Sequence, residues 1–115
     1  MTVKTVIDVS GAATHYTTPG NLRGRNLLCI HDEWTGDITA TRTLQGSNHE
    51  NPDTSDDTDW FDTSDALDAP DGSAGKEGVV VSNAAAKWYR EKIVVESGAG
   101  TFTSRIEHVA ASTRS

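Results

Sequence analysis

One cysteine, one methionine, two phenylalanines and three prolines are all that this 115-residue chain has of those types. A single cysteine, Cys29, allows no intrachain disulfide and excludes a cysteine-rich zinc site. It lies in the apolar run Leu27-Leu28-Cys29-Ile30, where a small buried hydrophobe is expected. No apolar run comes near the roughly 18 residues needed to cross a bilayer. The opening residues, MTVKTVIDVS, lack the continuous apolar stretch of a secretory signal. A soluble protein without membrane contact is therefore expected. The sequence pI of about 4.8 comes with no basic stripe, which argues against nucleic acid as a partner, since phosphates demand clustered Lys and Arg.

What is abundant is negative charge, and it is concentrated. Between Glu50 and Asp71 stand nine acids (Glu50, Asp53, Asp56, Asp57, Asp59, Asp62, Asp65, Asp68 and Asp71) and no Lys or Arg. The other eight acids are matched by all ten basic side chains, so the net charge of −7 is a property of one segment.

Helical patterning is scarce, and the apolar residues recur at period two. Thr2 to Ser10 is a Thr/Val-rich run bounded by Gly11 and reads as a strand. Arg25 to His31 reads as a strand buried on both sides. Asp32 to Gly36 reads as a turn into a strand in which Ile38, Ala40, Arg42 and Leu44 share one face, so the two strands are expected to form a hairpin. A short aromatic strand is expected around Trp60 and Phe61, a loop over Ala69 to Gly78, and a strand at VVVSNAA. AAAKWYREK has helix-favouring residues, but Ile93-Val94-Val95 continues it as a strand. TFTSRIEHVA alternates through Phe102, Ser104, Ile106 and His108. Seven to eight short strands at intervals of roughly ten residues predict an all-β, antiparallel β-sandwich, jelly-roll-like or Ig-like. One domain spans residues 1–110, with a long acidic loop insertion over 46–75 and a tail at 111–115. That loop is expected to be mobile and outward-facing, anchored only at Asp59 to Phe61.

The search for chemistry finds little. Read as a calcium loop from Asp53, ligand positions 1, 3 and 5 are Asp53, Ser55 and Asp57, but Thr58 stands where Gly is needed and Ser64 where a bidentate Glu belongs. An irregular Ca²⁺ site from Asp53, Asp57 and Asp59 competes with a hydrated loop, and the loop is favoured. Paired glycosidase carboxylates need rigid placement, which an Asp/Ser/Thr tract does not give. His15, His31, His49 and His108 are scattered, with no pair spaced to put two ligands on one face. Trp34, Trp60, Trp88, Tyr16 and Tyr89 offer a sugar-stacking platform or, more in keeping with a small sandwich, packing; Trp60 and Trp88 are expected in the core. No catalytic, cofactor-binding or metal residue is assigned, and no cofactor is expected.

The order of the pieces carries a resemblance. Leu22-Arg23-Gly24, Trp34-Thr35-Gly36, Arg42 near a strand end, Trp60, Tyr89-Arg90, the SGAGT turn (Ser97 to Thr101) and SRIEHV (Ser104 to Val109) follow one another along most of the chain. This succession resembles the small β-sandwich virion proteins of tailed bacteriophages: head decoration (cement) proteins, head-fibre bases and tail components. It departs from them at the Trp60 corner, where the acidic insertion replaces a tight Gly-Gly turn. The resemblance implies a non-enzymatic structural protein that decorates and stabilises the capsid by binding major capsid subunits. Its place would be the outer surface of the head, after synthesis in the host cytoplasm. Small Ser/Thr/Gly-rich strands suit packing on a lattice, and an acidic tip suits a solvent-facing surface. A homotrimer is expected, because a small core leaves aromatics to be covered by symmetry. The alternatives are a tail or baseplate subunit, an adhesin gripping glycan through Trp34 or Tyr16, and a small carbohydrate-active or Ca²⁺-dependent hydrolase using the Asp-rich loop.

Overall fold

A computed structural model of the chain describes residues 2–22, 27–82 and 84–109. Arg23 and Gly24 of the Leu-Arg-Gly step, and the tail at 111–115, lie outside the described residues. Nine strands and no helix are found among the described residues: β1 (Thr2–Ser10), β2 (Ala13–Tyr16), β3 (Gly20–Asn21), β4 (Leu27–Trp34), β5 (Thr39–Ser47), β6 (Phe61–Asp62), β7 (Gly75–Val81), β8 (Trp88–Ser97) and β9 (Ala99–Val109). The expected seven to eight become nine because β2 and the two-residue β3 were not foreseen, whereas β6 is the short aromatic strand expected there, moved to Phe61–Asp62. β7 also begins three residues earlier than the loop expected to end at Gly78.

Two antiparallel sheets face each other. The first has the order β1-β9-β4-β7 and the second β2-β8-β5-β6, with β3 also on β8. The chain steps from one sheet to the other at nearly every connection, and its first and last strands are neighbours. With β3 set aside, that is the eight-strand order of a jelly roll.

The expected hairpin of β4 and β5 does not form. β4 pairs with β7 and β9, and β5 with β6 and β8, so the Trp34–Thr39 connection crosses between sheets. The β8–β9 connection crosses at the same end, and the two corners pack backbone to backbone. Thr35 N–H donates to Thr101 O at 3.0 Å, and the β1–β2 connection joins them at this end, Gly11 N–H donating to Gly98 O at 2.9 Å. Gly36 (φ 82°) and Gly98 (φ 98°) make this approach possible, since a Cβ would lie 2.1 Å from Ala99 O or 2.3 Å from Asp37 O, respectively.

Alternation along each strand separates an inner from an outer face. In β4, Leu28, Ile30, Asp32 and Trp34 point inward and Cys29, His31 and Glu33 outward. This corrects two expectations: β4 is buried on one face only, and Cys29 is exposed. The reason is that, among the described residues, none covers the outer face of the first sheet, as antiparallel sheets permit.

Candidate functional site

The inward side chains form two apolar clusters rather than one. Leu28, Ile30, Leu44, Tyr89 and Ile106 belong to the first, and Trp34, Ile38, Ala40, Ile93, Val95 and Phe102 to the second. Between them the central inward position of each main strand is polar: Asp32 on β4, Arg42 on β5, Glu91 on β8 and Ser104 on β9, all buried. Arg42 Nη2 donates to Asp32 Oδ2 at 2.5 Å and to Glu91 Oε1 at 3.0 Å. Its Nη1 reaches Glu77 Oε1 at 2.6 Å and Asp68 O at 2.7 Å. Ser104 Oγ donates to Glu91 Oε2 at 2.8 Å. The guanidinium also lies 5.4 Å from the Trp34 ring and 5.8 Å from that of Phe102, which stack on each other.

Two fully buried carboxylates against one cation are an excess of negative charge. Burial, aided by the hydrogen bond to Asp32 and its charge, pushes the Glu91 carboxyl up to about 8, against the pull of Arg42. A proton on Glu91 brings the buried set to neutrality. It also gives a donor to Asp32 Oδ1, which has no other among the described residues. Burial draws the Arg42 guanidinium down, but Glu91 and Asp32 outweigh it, and the group stands above its ordinary value.

A second assembly lies on the outer face of the second sheet. Arg90, adjacent to Glu91 on β8, points the other way and is nevertheless fully buried. It is stacked between the rings of Tyr16 and Trp60, at 3.8 and 4.2 Å from their centroids. Its three nitrogens donate to Gln45 Oε1 (2.9 Å), Thr54 O (3.0 Å) and Asp56 O (2.7 Å). Asp57 accepts from Lys92 Nζ at 2.5 Å and Tyr16 Oη at 2.9 Å, and the Lys92 contact holds its carboxyl below the usual range. Trp60 donates its indole N–H to Asp53 O at 2.7 Å. The acidic segment is therefore a third layer clamped over the sheet.

This corrects the expectation of an excursion pinned only at Asp59 to Phe61. The cations absent from the segment's own sequence arrive from β8. Trp60 is buried, though under this layer rather than between the sheets, and Phe61 remains half-exposed.

Other expected residues fall apart in space. Asp53 accepts from Ser55, Asp56 from Thr58 and Asp59 from the Asp53 N–H, so these carboxylates serve local turns. Among the described residues no group of three His, Cys, Asp or Glu side chains is placed to hold a metal ion. His31 faces solvent on the first sheet, His108 faces inward beneath Gly20, and His49 lies 3.7 Å from Asp59. Trp34 and Tyr16, the residues offered as glycan platforms, are a core side chain and one wall of the Arg90 stack. Trp88, expected in the core, is only partly buried and lines a shallow cleft together with Pro19 and Pro52.

No protein family, curated protein or solved structure matches this chain. An open cleft of about 520 Å³ lies between Phe61, Asp65, Val81 and Tyr89. The Tyr89 hydroxyl there already accepts the N–H groups of Ala85 and Ala86.

Sequence reasoning missed Arg42, Asp32, Glu91 and Arg90 as organising residues. A signal existed for the first three: each is a lone charge in the inward row of an alternating run, flanked two residues away by apolar side chains.

Proposed function

We propose that this chain is a non-enzymatic structural subunit of a tailed-phage virion, which decorates and stabilises the capsid by binding its major subunit on the outer surface of the head. The observation that carries the reading is how the polar groups are spent. Arg42, Asp32, Glu91 and Ser104 satisfy one another in the closed interior, and Arg90, Lys92, Tyr16 and Gln45 are consumed in holding down the acidic layer. Polar groups spent in this way support surfaces, rather than a reacting cleft, as the means of action.

The surfaces are unlike. One side is an acidic layer, and the other is the uncovered face of the first sheet, with Lys4, His31, Glu33, Lys76, Val80 and Arg105 mixed across it. A jelly-roll order is at home in virus capsids, though the fold by itself assigns no role. The open face suits contact with another subunit, and the acidic layer suits solvent. The aromatics counted toward a trimer are mostly used within the chain: Trp34, Trp60, Tyr89 and Phe102 are all buried.

A density map of phage particles carrying this chain tests the reading. The expected result is the chain seated on the head by the outer face of its first sheet, with residues 48–60 outward, and a Val80→Glu/His31→Glu variant that folds but leaves particles bare. Density in the tail, or particles that never carry the chain, would overturn it.

A further inference from the structure

Val6 is 55% exposed in the middle of β1, the strand at one edge of the first sheet. β1 runs nine residues in unbroken register with β9. Natural edge strands are blunted by proline, bulges, inward charges or shortness, because their free N–H and C=O groups are a template for another strand. β1 has no proline, bulge or inward charge and is not short. The charges it does carry, Lys4 and Asp8, face solvent and are of opposite sign, so they repel a second strand only in some registers. The solvent face of β1 carries Thr2, Lys4, Val6, Asp8 and Ser10, an arrangement symmetric in chemistry about Val6 with a positive charge on one side and a negative one on the other.

We infer that β1 pairs antiparallel with β1 of a second copy of this chain across a two-fold axis at Val6, joining two four-stranded sheets into one of eight. In antiparallel pairing, residues directly opposite share a face, so register follows from which residues meet. The register that overlaps all nine residues sets Lys4 against Asp8 of the second copy, Asp8 against its Lys4, Val6 against Val6 and Thr2 against Ser10. On the inner face Val3 meets Val9 and Thr5 meets Ile7. One self-complementary patch thus produces two ion pairs around an apolar centre, as a two-fold interface requires.

The surroundings of the two charges agree. Lys4 lies directly opposite Arg105 of β9, a like charge already paired with Glu33 at 3.0 Å. Among the described residues neither Lys4 nor Asp8 forms an ion pair. The other edge of the same sheet has no such complementarity. A two-fold at Gly78 of β7 would set Lys76 against the exposed Val80 and join two glycines. Edge pairing alone is small beside the roughly 1,200–2,000 Å² of stable complexes, so the dimer forms reversibly with concentration.

Sedimentation across a concentration series tests this, with circular dichroism to verify folding of each variant. Lys4→Asp alone places two pairs of carboxylates together, and Asp8→Lys alone two pairs of ammonium groups; each is expected to weaken dimerisation about tenfold. The double variant Lys4→Asp/Asp8→Lys restores opposite pairing and is expected to recover it. In a Cys29→Ser background, Val6→Cys should oxidise to a disulfide-linked dimer, because directly opposite Cα atoms are about 4.5–5.5 Å apart. Thr41→Cys in the same background, on the second sheet, should not. A chain that sediments as a monomer up to its solubility limit, or a dimer that neither single reversal weakens, overturns the inference.

Discussion

Arg42 and Arg90 stand on different strands of one sheet and face opposite ways, yet each is buried and each organises a layer. The energetics of the Arg42 cluster favour specificity over stability. A buried ion group gains little over a well-packed apolar one, but removing one member strands the others. Arg42→Met should therefore cost about 3–5 kcal/mol by chemical denaturation. Asp32→Leu/Arg42→Met/Glu91→Leu together should cost much less, and a triple variant as unstable as the single one would contradict this account. Glu91 adds a pH dependence. Its folded-state value of about 8 lies above the ordinary 4.5, so between these values the folded chain holds a proton that the unfolded chain does not. Stability is then full near the lower value and falls as pH rises toward the upper one, by at most about 1.4 kcal/mol per unit. Asp57, held low by Lys92, acts in the opposite sense but only below about pH 4. Melting temperature is expected to drop between about pH 5 and about pH 8, and Glu91→Gln should flatten the curve; a parent curve already flat would remove the protonated carboxyl from the account.

At the scale of elements, the acidic segment behaves as part of the sandwich because β8 supplies Arg90 and Lys92 to its underside. Arg90→Met should release residues 48–60, so that limited proteolysis cuts there at least about ten times faster while the strands stay protected from hydrogen exchange. Unchanged cleavage would mean that Trp60 and Asp57 hold the layer without it. The sequence made the strands legible, because inward rows such as Phe102, Ser104, Ile106 and His108 alternate cleanly. It also made the sandwich class legible. Pairing partners were not: β4 and β5 are close in sequence and look like a hairpin, and only the packing of the Gly36 and Gly98 corners sends them to different sheets. The clamp on the acidic layer was hidden for a related reason. A search for cations within the run of carboxylates finds none, whereas the fold brings them from over thirty residues away, Arg90 to Asp56 and Lys92 to Asp57.

For the molecule as a whole, the decisive pairing joins the ends of the described chain, with Thr2 opposite Glu107. β9 is the strand through which β1 reaches β4, so the first sheet cannot close until nearly all of the chain is present. Long-range closure of this kind is slow, on the order of milliseconds to seconds. A fragment ending at Ser97 should accordingly remain unfolded by circular dichroism, and a cooperative melt from it would show that the second sheet is self-sufficient. The adjacency of the first and last strands has one more consequence. A short linker from residue 109 back to residue 2 would turn the chain into a ring with little change in path. The ring could then be opened at an exposed turn elsewhere, such as Gly72 between the acidic layer and β7, to give a circular permutant with the same two sheets. In that sense Thr2 and Val109 are neighbouring points on a ring, and the break between them is one of several the two sheets would tolerate.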